Sequence, residues 1–98
     1  MEIIHLKNEK FKELIKEKVL VDFYANWCGP CKMIASELER ANSNIKTIKL
    51  DVDQFEELAK EYGVMSIPTL ILFDAGKEIK RTIGFIDKEK IEKFIDLN

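Results

Sequence analysis

The stretch Tyr24 to Met33, YANWCGPCKM, decides how the rest of the chain is read. It holds both cysteines of the chain, with Gly29-Pro30 between them and Trp27 immediately ahead. Such a pair can be a metal clip, a structural staple, or a dithiol that opens and closes as its work. The segments on either side separate these uses.

Upstream, VLVDFY (Val19 to Tyr24) is rich in β-formers and apolar on both faces, the pattern of a central strand covered from two sides. Downstream, Cys31, Ile34, Ala35 and Leu38 recur at helical spacing, in a helix expected to stop near Asn42-Ser43-Asn44. Cys28 therefore falls where a central strand hands over to a helix, at the rim where open α/β sheets build their sites. The unpaired N–H groups and positive dipole end of that helix point at its sulfur. A dipole interaction of about 0.3–2 kcal/mol moves a thiol from its ordinary pKa near 8.5 toward neutrality, which supplies a usable thiolate. Lys32 adds a nearby, solvated positive charge.

Residues three apart share one helical face. The first sulfur can attack a partner disulfide, and the second can then attack the mixed disulfide and release the product. Gly29 permits the tight entry, and Pro30 suits a first turn in which its missing N–H is not needed. Cys31 belongs to the apolar stripe and should be the less exposed sulfur. The roles separate: Cys28 attacks and Cys31 resolves.

The bulk composition weakens the other two uses. Ninety-eight residues make one domain, 1–98. A chain of this size buries about 65% of its unfolded surface, so it needs no staple. Zinc needs four ligands, and His5, remote in sequence, is the only histidine to join the cysteines. No metal and no bound cofactor is expected. With 46% hydrophobic and 35% charged residues, and a net charge of −2 without a basic stripe, the chain reads as a globular protein that binds no nucleic acid. MEIIHLKNEK lacks the pattern of a signal peptide, and IPTLILF is too short to span a bilayer. The cytoplasm is the expected compartment, where a close cysteine pair is more often catalytic or metal-binding than structural. Nothing in the sequence suggests more than a monomer.

Three further apolar stripes read as helices. Phe11, Leu14 and Ile15 follow Asn8 as cap. Phe55, Leu58, Ala59 and Tyr62 lie between Asp53 as cap and Gly63 as stop. Ile91, Phe94 and Ile95 follow Asp87 as opener. Runs of β-formers occupy Ile3 to Leu6, Ile45 to Val52, Thr69 to Asp74 and Glu78 to Ile83. The last two are joined through Ala75-Gly76 and should form an antiparallel hairpin. The order β-α-β-α-β-α-β-β-α predicts an α/β fold, a mixed central β-sheet flanked by four helices.

WCGPCK (Trp27 to Lys32) preceded by VDFYAN, with SIPTLILF downstream and Gly84 before the last helix, resembles the thioredoxins over essentially the whole chain. That resemblance implies the thioredoxin fold and a thiol-disulfide oxidoreductase, working as a general protein-disulfide reductase in cell redox homeostasis. It implies a Cys28/Cys31 dithiol-disulfide cycle through a mixed disulfide, with that disulfide as the only redox group. The lowered pKa of the attacking cysteine is itself a known property of the family. The implied electron donor is a thioredoxin reductase, flavin-dependent and fed by NADPH. The implied clients include ribonucleotide reductase, peroxiredoxins and methionine sulfoxide reductases.

Asp22 shares a strand face with Leu20 and Tyr24. It reads either as a buried carboxyl of raised pKa, able to exchange a proton with Cys31, or as an aspartate at a strand edge reaching solvent. In the thioredoxins the aspartate at this position activates the second cysteine. Lys49 matches the family's lysine beside that aspartate; a solvated strand lysine is the competing reading. As a bare X-Pro bond, Ile67-Pro68 has about a 5–6% chance of being cis, and a trans proline opening a strand is the plain reading. The resemblance implies instead that a cis Pro68 faces the cysteines, that Ile67 offers its backbone to an extended peptide, and that Trp27, Ile67 and Gly84 frame an apolar groove.

The chain departs from the family in four places. Ser36 stands where a proline commonly kinks the second helix, and Ser36 to Ile45 is about one turn short. Tyr24 replaces a tryptophan, and Phe85 is bulky for the groove rim. Two other functions remain in view. A disulfide oxidase or isomerase usually differs between the cysteines, often carrying a histidine there. An assembly module would not need both cysteines and a buried acid.

Overall fold

The computed structural model describes residues 1–7 and 10–96. Among these, the chain runs β1 (Ile3–His5), α1 (Phe11–Leu14), β2 (Val19–Tyr24), α2 (Gly29–Arg40), β3 (Lys46–Asp51), α3 (Glu56–Glu61), β4 (Thr69–Asp74), β5 (Lys77–Ile83) and α4 (Lys88–Asp96). The nine elements appear in the predicted order. The strands form one mixed sheet in the order β1-β3-β2-β4-β5. β2 lies at its centre, parallel to β3 and antiparallel to β4, as its two-sided apolar pattern requires.

Alternation along the strands divides the core into two layers. Val19, Val21 and Phe23 of β2, with Ile71 and Phe73 of β4, pack against Phe11 and Ile15 on one side and Ala59 of α3. Phe11, Tyr62 and Phe73 meet edge to face there, with centroids 5.2–5.9 Å apart. Leu20, Leu70 and Leu72 point the other way, onto Ile34 and Leu38 of α2 and Ile91 and Ile95 of α4. Each fully buried Leu, Ile or Phe contributes roughly 1.5–3 kcal/mol, so this alternation sets which helix covers which face.

The ends of the elements show where local chemistry differs from expectation. Asp87 caps α4 as expected, its Oδ1 accepting the Lys90 N–H at 3.0 Å. Glu37 on α2 accepts the Lys88 N–H at 2.8 Å and ties α2 to the start of α4. Asp53 does not cap α3. The helix begins after Phe55, with the Asp51 carbonyl accepting the Gln54 and Phe55 N–H groups, and the Asp53 carboxylate turns to Trp27 instead. A tryptophan N–H within reach is a competing donor that spacing along one segment does not reveal. Gly63, at φ +63°, ends α3 as expected: its N–H bonds Lys60 and that of Val64 bonds Ala59, the paired closure that a left-handed residue permits. Arg81 of β5 adds a brace, donating to the Tyr62 carbonyl at 2.6 Å while pairing with Glu78.

The β4–β5 hairpin closes through Ala75-Gly76, both left-handed at φ +53° and +81°, the geometry of a tight two-residue turn. Their N–H groups donate to the Lys16 and Ile15 carbonyls, so the hairpin tip also finishes the end of α1. That helix is a single turn. Asn8, expected as its cap, lies outside the described residues. α2 runs without interruption through Ser36, and no helix among the described residues is long and apolar enough to cross a membrane.

Candidate active site

Cys28 is the N-cap of α2, at the C-terminal end of the loop leaving β2. Its backbone is extended (φ −91°, ψ 112°), and its sulfur accepts the Cys31 N–H at 3.2 Å. Pro30 sits in the first turn, where no N–H is required. One turn of helix thus brings the second cysteine under the first, and the two are joined as a disulfide with Cα atoms 5.2 Å apart. Both residues are buried, Cys31 (2% exposed) deeper than Cys28 (5%), in the order the apolar stripe predicts. Ala25, Tyr24, Val52 and Ile67 pack around them.

The rim of the pair differs in character from its floor. Gly29, Pro30 and Lys32 are exposed. The Trp27 ring is 70% exposed, and its Nε1–H donates to Asp53 Oδ2 at 2.8 Å, which holds a large aromatic surface in water beside the disulfide. The Ile67-Pro68 peptide is cis. Ile67 packs against the cysteine cluster, and the buried Pro68 offers its carbonyl to the Gly84 N–H at 2.8 Å. Ile67 thus touches the pair and Pro68 carries Gly84 beside it, with Trp27 exposed next to Cys28 and Phe85 exposed next to Gly84.

Asp22 is fully buried, so it is not an edge residue reaching solvent. It stands directly opposite Lys49 in the parallel β2–β3 register, and Lys49 Nζ lies 2.9 Å from Oδ2. The contact has the distance of an ion pair but not the alignment of a hydrogen bond, so neither carboxylate oxygen has a hydrogen-bond partner among the described residues. Burial pushes the Asp22 carboxyl above its ordinary range, and the Lys49 charge pulls it only partly back. The Lys49 Nζ also sits over the Tyr24 ring, 4.4 Å from its centre. Burial, and then the charges of Asp51 and Asp22, push the Tyr24 hydroxyl up. A recess of about 120 Å³ opens beneath the pair, lined by Tyr24, Ala25, Asn26, Cys31, Lys32, Ala35 and Lys49. Cys31 and Lys49, the residue that faces Asp22, both line it.

Of the residues singled out from the sequence, Ile67 packs against the cysteine pair, Cys31, Lys32 and Lys49 line one recess, Lys49 faces Asp22, and Gly84 bonds Pro68. Two contacts were not anticipated. The Trp27–Asp53 bond depends on a loop-to-loop approach with no sequence signal. The Tyr24–Lys49 contact follows from the β2–β3 register, which sets Lys49 opposite Asp22 and within reach of the ring two residues on. No group of three or more His, Cys, Asp or Glu among the described residues is arranged to hold a metal ion.

The profile of the family described as Thioredoxin matches residues 2–97. Among similar proteins are thioredoxins from Bacillus subtilis, 41% identical over 98% of this chain and 97% of its own, and from Chlamydia muridarum, 49% identical over 79% of this chain and 78% of its own. A solved mutant thioredoxin from Halobacterium salinarum superposes with a TM-score of 0.90 at 32% identity, covering 98% of this chain and 89% of that one. A structure concerned with thiol resolution in a yeast mitochondrial 1-Cys peroxiredoxin through glutathione and thioredoxin systems superposes at 0.84, with 37% identity over 98% of this chain and 95% of that one.

Proposed function

The chain belongs to the thioredoxin family and is a thiol-disulfide oxidoreductase whose redox-active pair is Cys28 and Cys31, and from that premise we propose that it serves as a general protein-disulfide reductase with the following division of labour. The Cys28 thiolate attacks one sulfur of a client disulfide. A Cys28–client bond forms, the client S–S bond breaks, and one client thiolate leaves. Cys31 gives its proton to the ionised Asp22 carboxylate, and its thiolate attacks the Cys28 sulfur. The Cys28–client bond breaks, the second client thiolate leaves, and the two electrons of the dithiol now reside in the client. The leaving thiolates take protons from solvent.

The observation that carries this reading is the disulfide at the start of α2, with the more buried Cys31 lining a recess that Lys49, the residue facing Asp22, also lines. In this reading Trp27, Ile67, Pro68 and Gly84 receive an extended client segment, with Ile67 offering backbone groups. Gly29, Pro30 and Lys32 shape the turn and favour the Cys28 thiolate, and Lys49 tempers Asp22. The family implies recharging by a thioredoxin reductase and disulfide-containing clients in general. A flavin-dependent, NADPH-fed donor, with peroxiredoxins, ribonucleotide reductase and methionine sulfoxide reductases as clients, completes the proposal. The chain would act as a single domain, 1–98, and as a monomer in the cytoplasm.

The test is insulin disulfide reduction with dithiothreitol as donor. Cys28→Ser should bring the rate to the background of dithiothreitol alone. Cys31→Ser should stall after the first attack and accumulate a client adduct that dithiothreitol cleaves. Activity retained by Cys28→Ser would overturn the assignment.

A further inference from the structure

Lys49 is almost wholly buried, yet its contact with the Asp22 carboxylate lacks hydrogen-bond alignment. Its second contact is the face of Tyr24, at a distance where an aromatic ring attracts a cation. Tyr24 lies two residues beyond Asp22 on β2, so alternation brings both side chains to one face of the sheet. Lys49 sits opposite Asp22 in the register and reaches across to both. The ring and the carboxylate hold the same ammonium, and the recess that the ring lines continues to Cys31.

We propose that Tyr24 is a positioning residue for proton exchange: its ring holds the Lys49 ammonium against the Asp22 carboxylate and thereby sets the pH at which Asp22 can take the Cys31 proton. The inference rests on the reading of Asp22 as that acceptor and adds to it the group that fixes its counter-charge. Without the ring, Lys49 loses one of its two holds and is freer to turn toward water. Asp22 then loses part of the positive charge that favours its ionised form, and its carboxyl titrates higher still. The other charged or titratable groups around the cluster are Asp51 on β3, Lys32 on α2 and His5, which is exposed and pairs beside Lys49 from β1. β4 contributes Leu70 opposite Asp22, which is uncharged.

The experiment compares the whole protein with Tyr24→Leu and Tyr24→Phe. The Asp22 carboxyl is titrated by carbon NMR, and the pH profile of mixed-disulfide resolution is measured by stopped flow. In Tyr24→Leu the Asp22 midpoint should rise by about 0.5–1 pH unit, and the acid limb of the resolution profile should move by the same amount. Tyr24→Phe, which keeps the ring and drops the hydroxyl, should return both to the wild-type position. A Leu midpoint equal to wild type, or a Phe midpoint moved as far as that of Leu, overturns the role of the ring. Should Tyr24→Leu fail to fold, the wild-type spectrum decides: the Lys49 ε-methylene protons should lie upfield under the ring, and their appearance at the ordinary position overturns the proposal. An Asp22→Asn variant separates the two ideas. If it resolves mixed disulfides with the wild-type pH profile, the acceptor reading fails and the rate consequence falls with it, while the Asp22 titration still reports on the ring by itself.

Discussion

At the scale of single residues, Asp22 stands out among the described residues as a buried side chain whose oxygens lack a hydrogen-bond partner. It is a fully buried carboxyl, opposite Leu70 in the β2–β4 register, with Lys49 as its imperfectly aligned cation. Its pKa is raised by burial, which fixes the sign of its effect on stability. Below its ordinary range the group is protonated in both folded and unfolded chains and makes no pH-dependent contribution. As pH rises, the unfolded chain releases the proton first and the folded chain still holds it. Stability therefore falls until pH passes the raised folded value, and levels off beyond it. Asp22→Asn should remove that decline and make the oxidised protein more stable than wild type by about 1–3 kcal/mol at pH 9, while leaving the two closely matched near pH 4. Urea unfolding at a series of pH values measures it. A wild-type curve flat from pH 4 to 9 would show that Asp22 is not held protonated by the fold. The acid was legible in the sequence because a charge interrupts VLVDFY. Its partner was not legible from composition, since a strand lysine reads as solvated until the β2–β3 register sets it opposite.

At the scale of elements, the hairpin between β4 and β5 shows what patterning reveals and what it leaves open. Two β runs separated by Ala75-Gly76 specify a tight turn, and the six-residue β4 ends where its apolar run ends. The sequence does not announce that Ala75 must be left-handed, because alanine is a poor choice for that conformation. The reason it is imposed lies elsewhere: the turn's N–H groups satisfy the Ile15 and Lys16 carbonyls at the end of a one-turn helix. Ala75→Asn places a residue that tolerates the left-handed region before Gly76, in the favoured Asn-Gly order, and should stabilise the protein by about 0.5–1 kcal/mol without altering catalysis. Thermal and urea unfolding check it; a loss of stability would mean that the turn relaxes away from this geometry in solution. The same division explains α3. Gly63 was legible as its stop because the left-handed closure is local chemistry, whereas Asp53 failed as its cap because Trp27, distant along the chain, takes the carboxylate. Features set by neighbours in sequence were readable from the residues. Of those set by a contact across the fold, Lys49 beside Asp22 was readable only through the family resemblance.

At the scale of the whole molecule, the question is which way the electrons run. The fold places Cys28 at the positive end of α2 and so favours its thiolate. Every increment of thiolate stability makes the dithiol easier to keep and the disulfide a stronger oxidant. In this chain the residues between the cysteines are Gly29 and Pro30, and neither carries a charge or an imidazole to add to the helix. The thiolate is stabilised enough to attack but lacks the additional support that would turn the pair into an oxidant. The potential should therefore lie near the family's own value of about −270 mV, well below the roughly −180 mV of a disulfide isomerase. For a two-electron couple that gap of about 90 mV corresponds to roughly a thousandfold in the equilibrium constant with a common partner. Equilibrating the protein with dithiothreitol buffers and quantifying the Cys28–Cys31 disulfide by thiol alkylation measures it. Introducing a histidine with Pro30→His should raise the potential by some tens of millivolts, as an imidazolium beside the sulfur holds the thiolate more firmly. A wild-type value at or above −180 mV would reverse the direction of flow and make the chain an oxidant of its clients. An unchanged potential in Pro30→His would show that the helix end alone sets the poise.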